Sequence, residues 1–476
     1  MLKKRLIILS MFLLIIGICT SVFASSTENY GVTTTIINGV TVKWKYKVNN
    51  SNQIIDLECT NPLELKGSIT IPSTLEGKTV YSLANEAFKK ANNVTEFILP
   101  SSVKKIGYSA FENCTALSKV NLGSIEDISF NVFKGCTSLT SITIPKTLKT
   151  GSVEPCLNNT NITKITFEEG LTVIPSYLCA KTGITEVTIP NSVKEIGYSA
   201  FENCTALSKV NLGSIEDISF DVFKGCTSLT SITIPKTLKT GSTASSLNNK
   251  NITKITFEEG LTVIPSYLCA NTGITEVTIP NSVKEIGYSA FQNCTALSKV
   301  NLGSIEDISF DTFKGCTNLT SVTIPNSVKT ISERAFANCT KLNKITILDN
   351  VTSMGFYSIN YKTDTVFSNH NEDLTIYCYK NSLAANYAIK YDIKYVYLTK
   401  EENKDNTVSN TTTNNTVSST TKNNTTSTNN TVKDTTIKGG VLPKTGIGFG
   451  LIITIVSLVG GGVFTYFKYN NLKDIK

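Results

Sequence analysis

Histidine is almost absent from this chain, which has one, His370, among 476 residues. Nucleophilic serine and cysteine need a histidine positioned against them, and histidine zinc sites need several, so the usual hydrolases and zinc enzymes are disfavoured. His370 lies in a polar loop, and no two cysteines have the two-residue spacing typical of thiolate zinc sites. We therefore expect no enzyme, no catalytic residue, no metal site and no cofactor.

The beginning of the chain is typical of an exported protein. Residues 3–5 are basic, Leu6–Cys19 is apolar apart from one serine, and Val22–Ala24 offers the small residues that signal peptidase reads. The apolar run is short for a bilayer span. We predict a signal peptide over residues 1–24.

The end of the chain carries three features in order. Five residues spell the motif LPKTG: Leu442, Pro443, Lys444, Thr445 and Gly446. A charge-free segment over 447–467, long enough to cross a membrane, and a tail of three lysines follow. Together they resemble the sortase cell-wall sorting signal of Gram-positive bacteria. The resemblance implies that sortase joins Thr445 to peptidoglycan, so the chain meets the membrane only before sorting. The alternative is an ordinary single-pass anchor.

Strong net charge is lacking once both ends are removed. The whole chain carries +8; residues 1–24 hold three positive charges and residues 446–476 a net of two, which leaves +3. Lysines and glutamates are also scattered. Such a weak balance does not suggest nucleic acid as a partner.

A repeat occupies the middle of the chain. The pattern apolar-x-x-apolar-x-apolar begins at steps alternating between 23 and 22 residues, at Val94, Leu117, Leu139, Ile162, Ile184, Leu207, Leu229, Ile252, Ile274, Leu297, Leu319 and Leu342. Residues 101–190 and 191–280 also match at 81 of 90 positions, which is four whole turns. This periodicity predicts a solenoid. Between strands we expect a short helix or an irregular turn, with one set of phenylalanines inward: Phe111, Phe133, Phe201, Phe223, Phe291, Phe313 and Phe336.

These turns resemble the BspA-like subclass of leucine-rich repeats from about Val40 to Leu398. We therefore predict an α/β repeat fold, a leucine-rich-repeat solenoid with a continuous parallel β-sheet of about twelve strands. The predicted domains are an N-terminal cap, 25–83, the solenoid, 84–372, a C-terminal cap, 373–399, a disordered Asn/Thr/Ser-rich linker, 400–440, and the sorting region, 441–476.

Alternation along the strands turns a polar set of side chains outward: Lys119, Asn121, Ser141, Thr143, Lys164, Thr166, Glu186 and Thr188. The alternative interpretation is that threonine simply suits exposed strands. Gly-Tyr-Ser-Ala segments add three aromatic candidates: Tyr108, Tyr198 and Tyr288. The family resemblance implies an adhesin-like surface protein whose partner is a host protein or a neighbouring cell. A wall-anchored spacer without a ligand is the alternative.

Seven cysteines stand three residues before the leading apolar residue of a strand: Cys114, Cys136, Cys204, Cys226, Cys294, Cys316 and Cys339. Adjacent members are near enough for disulfides. Stacked side chains point the same way, however, and an odd run of three cannot pair completely. We call these seven residues the cysteine column and expect them to be buried free thiols.

Overall fold

The computed structural model describes residues 30–355 and 366–399. The predicted signal peptide, linker, LPKTG motif and apolar segment 447–467 lie outside these residues. Within them the chain forms a parallel β-solenoid of about 15 turns, so the predicted solenoid is confirmed. The described part contains no helix long and apolar enough to cross a membrane.

Each turn contributes one strand to a row that we call the front sheet. Its strands are Lys66–Thr70, Asn93–Ile98, Lys119–Asn121, Ser141–Ile144, Lys164–Phe167, Glu186–Thr188, Lys209–Asn211, Ser231–Ile234, Lys254–Phe257, Glu276–Thr278, Lys299–Asn301, Ser321–Thr323, Lys344–Ile347, Thr375–Cys378 and Lys394–Tyr397. The row therefore begins one strand earlier and ends two strands later than the twelve predicted strands. Exposed and buried residues alternate along most of these strands, as a sheet with one face in the core requires.

Hydrogen bonding in the front sheet follows the alternating length of the turns. Where equivalent residues are 23 apart, as at Ser141 and Lys164, the strands pair in parallel. Where they are 22 apart, as at Lys119 and Ser141, neighbouring strands belong to separate ladders. The front sheet is thus a single row of strands that hydrogen bonding divides into ladders of two to four.

A second row of strands, which we call the side sheet, runs along another flank. Most of its members are two residues long: Gln53–Cys59, Ser82–Leu83, Lys105–Ile106, Asp127–Ile128, Val173–Ile174, Glu195–Ile196, Asp217–Ile218, Thr240–Gly241, Val263–Ile264, Glu285–Ile286, Asp307–Ile308, Thr330–Ile331 and Ser353–Met354. Over residues 66–355 the segments that join the strands are turns rather than helices. Of the two predicted forms of connection, the irregular turn is the one observed.

Additional elements lie at both ends of the described region. An antiparallel hairpin, Gly31–Ile37 and Val40–Val48, is followed by the 3-10 turn Pro62–Glu64 and the short strands Thr74–Leu75 and Lys78–Val80. In this hairpin Trp44 is buried and packs edge-on against Phe88 at 6.0 Å. At the other end the helix Leu383–Lys390 begins at Ser382, whose side chain accepts a hydrogen bond from Ala385 N.

Phenylalanine forms the centre of the core. All seven predicted inward phenylalanines are fully buried, so that prediction is confirmed. Rings of successive turns stack nearly parallel, as Phe111 does on Phe133 at 5.5 Å and Phe291 on Phe313 at 5.4 Å. Burying such a ring contributes about 1.5–3 kcal/mol, so each turn is stabilised chiefly by its neighbours.

A backbone requirement explains which residue precedes each column cysteine. This position adopts a positive φ, +60° at Asn113 and +75° at Gly135, and the other members are likewise asparagine or glycine. Glycine has no Cβ to clash there, and asparagine tolerates the left-handed region better than most residues. The Asn-Cys and Gly-Cys pairs of the sequence therefore mark one sharp turn of each repeat.

Candidate binding surfaces

We call the outward face of the front strands the front surface. All eight strand residues predicted to point outward are exposed on it: Lys119, Asn121, Ser141, Thr143, Lys164, Thr166, Glu186 and Thr188. The residues between them, such as Val120 and Ile142, are buried. Alternation therefore placed these side chains correctly, and the surface they form is polar.

Lysine and glutamate of neighbouring front strands pair across the surface. Lys119 Nζ lies 2.7 Å from a Glu96 carboxylate oxygen, and Lys209 Nζ lies 3.9 Å from Glu186. The hydrogen bond from Lys119 lowers the pKa of the Glu96 carboxyl. Surface pairs of this kind add little to stability, so a charged partner can replace them at little cost.

A shallow groove of about 330 Å³ opens in the front surface between the strands Lys254–Phe257 and Glu276–Thr278. These strands belong to separate ladders, so the groove lies at one of the interruptions described above. Charged residues of both signs line it, among them Lys254, Glu259, Glu276 and Lys299. Ninety residues earlier the chain has the same residue types at Lys164, Glu169, Glu186 and Lys209.

The three candidate tyrosines lie elsewhere. Each comes two residues after a side strand: Tyr108, Tyr198 and Tyr288. We call this flank of the solenoid the side surface, so these tyrosines do not extend the front surface. Tyr108 is 37% exposed and Tyr288 44%, whereas Tyr198 is half-buried. The preceding glycine permits close packing of turns, because a Cβ on Gly197 would lie 2.6 Å from the Ser176 nitrogen.

Further aromatic rings surround these tyrosines. Tyr108 stacks on Phe130 at 5.2 Å, and Tyr198 lies 4.0 Å from the Phe220 ring. Two tyrosines that the sequence analysis overlooked, Tyr177 and Tyr267, pack edge-on against Tyr198 and Tyr288 at 4.9 and 5.3 Å. Their shared segment Ile-Pro-Ser-Tyr recurs 90 residues apart, and that recurrence is the signal that could have revealed them.

The cysteine column has a hydrogen-bonding role. All twelve cysteines of the described residues are buried and unbridged. Each column thiol donates to a backbone carbonyl of the preceding turn at 3.0–3.3 Å, as Cys136 Sγ does to Phe111 O. In a turn without a column cysteine, an asparagine amide donates to the equivalent carbonyl instead, as Asn249 Nδ2 does to Phe223 O at 3.1 Å. The column thus supplies a second donor to buried carbonyls that also accept a backbone N–H of their own turn, as Phe111 O does from Cys114 N at 3.2 Å.

Other polar residues offer little chemistry. His370 Nδ1 lies 2.7 Å from Asn371 O in its polar loop. Across residues 30–355 and 366–399, no group of histidine, cysteine and carboxylate side chains has the arrangement of a metal site. The surfaces, rather than any reactive cluster, are what the fold presents.

Several solved structures resemble this chain. A leucine-rich repeat protein from Bacteroides ovatus is 23% identical, with a TM-score of 0.39, covering 79% of this chain and 100% of its own. A leucine rich cell surface protein from Faecalibacterium prausnitzii is 21% identical, with a TM-score of 0.34 and coverage of 75% and 97%. The pneumococcal vaccine antigen PcpA is 19% identical, with a TM-score of 0.43 and coverage of 77% and 99%.

No protein of curated function matches the chain. A family model does match, and it is described as the BspA type leucine rich repeat region. Its matches span residues 59–178, 172–298 and 295–399, which together make up well over half of the chain. The protein therefore belongs to the BspA-type leucine-rich-repeat family.

Proposed function

We propose that this protein is a cell-wall-anchored, adhesin-like binding protein that meets a macromolecular partner with its front surface. The observation that carries the proposal is the row of exposed polar side chains held in one register, with the same residues recurring 90 positions later. A partner that contacts one copy can contact the next, and linked contacts raise the overall affinity. A host protein or a neighbouring cell fits this extended surface.

The chemistry of the front surface favours charge-guided recognition. Lysine and glutamate recur along it, and their mutual pairs are weak because they are at the surface. Complementary charges on a partner would speed association and fix its register more than they would add affinity. Binding to the front surface should therefore weaken as salt rises.

Charge reversal in both copies tests the front surface. We expect Lys164→Glu with Lys254→Glu to slow association of the full chain by on the order of tenfold at low salt. Lys181→Glu is the control for the single variant Lys164→Glu, because both change the net charge by the same amount and Lys181 is exposed in a turn where its counterpart is Asn271. The measurement is surface plasmon resonance against a panel of host matrix proteins and wall polymers.

Two results would contradict this part of the proposal. If nothing on the panel binds the full chain, the spacer hypothesis is the better one. If Lys181→Glu loses as much binding as Lys164→Glu alone, then partners recognise net charge and not the front surface.

The proposed anchoring rests on residues 442–446, outside the described part. Leu442→Ala should leave the protein in the membrane fraction or the medium, because sortase would no longer form its acyl intermediate with Thr445. Lys444→Gln is the control, since the sorting motif leaves this position open. A Leu442→Ala variant that stays covalently linked to purified peptidoglycan would contradict the anchoring.

A further inference from the structure

A groove of about 620 Å³ opens on the side surface where the side sheet is interrupted. The ladder stops after Thr150, which still bridges to Asp127, and resumes at Val173–Ile174. Tyr177 and Tyr198 line the groove with rings 4.9 Å apart and nearly perpendicular. Lys149, Glu195 and Ser176 add polar atoms around them.

The residues that line the groove recur along the chain. The side sheet stops again after Thr240–Gly241 and resumes at Val263–Ile264. Ninety residues separate each lining residue from an identical counterpart, except that Val153 corresponds to Thr243. The ring pair also recurs, since Tyr267 and Tyr288 lie 5.3 Å apart and nearly perpendicular. Four turns separate the two copies, or about 19 Å at the usual strand spacing.

Tyr108 offers an internal comparison for the two tyrosine pairs. Tyr108 has the same Gly-Tyr-Ser-Ala context as Tyr198 and Tyr288, and it stacks on Phe130. The neighbouring turn differs, however. The backbone nitrogens of Tyr177 and Tyr267 donate to Tyr198 O and Tyr288 O, but the one that donates to Tyr108 O belongs to Glu86. Tyrosine pairs therefore occur at the two interruptions of the side sheet and do not accompany every Gly-Tyr-Ser-Ala segment.

The lining has the chemistry of a sugar site. Ring faces of tyrosine take up the C–H faces of a pyranose, while hydroxyl, ammonium and carboxylate groups meet its hydroxyls. Binding sites commonly combine such an aromatic wall with a few placed polar groups. The lining carries charges of both signs, Lys149 and Glu195, so a neutral ligand suits it better than a polyanion.

We propose that these two grooves bind one neutral, repeating polysaccharide, each holding a sugar unit against its tyrosine pair. Two equivalent sites at a fixed spacing match a polymer whose own units repeat, because both can be filled by one chain. The front surface takes no part in this site, so it stands independently of the function proposed above.

Binding of the full chain to arrayed neutral and N-acetylated hexose polymers and their disaccharides tests the proposal. Disaccharides should occupy two sites in the parent and one in Tyr198→Ala or Tyr288→Ala, with an unchanged Kd at the remaining site. Each single variant should bind the polymer on the order of 100-fold more weakly, because bivalent attachment is lost. The double variant should not bind either ligand.

Controls separate recognition from folding. Tyr108→Ala should bind like the parent, since its ring has no tyrosine partner across a groove. Val153→Trp with Thr243→Trp keeps all four tyrosines, and the new rings at these exposed positions should block both grooves. The charge-reversed front variant Lys164→Glu/Lys254→Glu should keep its glycan binding.

The proposal is overturned if no arrayed glycan binds, if the double tyrosine variant binds like the parent, or if the grooves capture peptides and not sugars. It is also overturned if one groove accounts for all disaccharide binding. These outcomes leave the front surface untouched, so failure here and failure of the proposed function are distinguishable.

Discussion

Removing one thiol from the cysteine column should destabilise the solenoid through the loss of one buried hydrogen bond and of the packing of its sulfur. Cys136 is fully buried, and its Sγ donates to Phe111 O at 3.0 Å. In Cys136→Ala this carbonyl loses the thiol donor but keeps its hydrogen bond from Cys114 N at 3.2 Å. In Cys136→Ser the hydroxyl can still donate, although the side chain is smaller.

The expected magnitudes follow from the two terms. One intramolecular hydrogen bond contributes about 0.5–1.5 kcal/mol net, and a thiol is a weak donor, which favours the lower end. Loss of the buried sulfur adds about 1 kcal/mol. We therefore expect Cys136→Ala to lower the free energy of unfolding by about 1.5 kcal/mol and Cys136→Ser by about 1 kcal/mol.

The chain itself contains a matched control for this exchange. Cys156 Sγ lies 3.7 Å from Ile128 O, and its counterpart Ser246 places its Oγ 3.4 Å from Ile218 O. Cys156→Ser should therefore change stability least. Urea unfolding followed by circular dichroism measures the unfolding midpoint of each variant. Where the slope m is unchanged, a lower midpoint means a lower free energy of unfolding. A serine variant at position 136 as unstable as the alanine variant would refute the hydrogen-bonding role of the column.

Two further predictions concern the cysteine column, and a third concerns a buried ion pair. In the native state the column thiols should resist alkylation, and mass spectrometry of denatured, unreduced protein should find most of them alkylated; oxidised adjacent pairs would contradict the free thiols. Burial raises the pKa of Cys294 to about 11 and of Cys339 to about 12, from about 9. As pH rises, the unfolded state therefore loses these protons first, and the free energy of unfolding should fall above about pH 9. The fall should be less steep in cysteine-to-serine variants, and a pH-independent difference between parent and variant would contradict this. Arg334→Ala should cost about 2 kcal/mol in thermal unfolding, because Arg334 bonds the buried Asp311 carboxylate twice at 2.8 Å; an unchanged Tm would show that Lys314 suffices.

The sequence predicts the front sheet and its buried residues well because both depend on one uninterrupted period. Positions such as Leu117 and Leu139 are fully buried, and the phenylalanines follow the same rhythm. The strand Thr375–Cys378 departs from it, since its residues pair with residues 31 positions earlier. A search at steps of 22 and 23 cannot find such a strand.

The side surface could not be predicted in the same way. A strand of two residues, such as Glu195–Ile196, is too short to show an alternating pattern. The groove between Tyr177 and Tyr198 depends on where the side sheet is interrupted, which is a property of backbone pairing between turns. Nor does the sequence reveal which carbonyl a thiol such as Cys136 would reach, because that contact joins residues 25 positions apart.

The central claim is that residues 191–280 are four interchangeable turns whose register positions both candidate surfaces. Thermal unfolding of two deletions, followed by circular dichroism, tests it most directly. Removing residues 191–280 joins matching flanks, so we expect a single cooperative transition like that of the parent. Removing residues 203–280 shifts every later turn out of phase and exposes its apolar residues, so that cooperativity should be lost. If the two deletions unfold alike, the register is wrong, and with it the placement of the front and side surfaces.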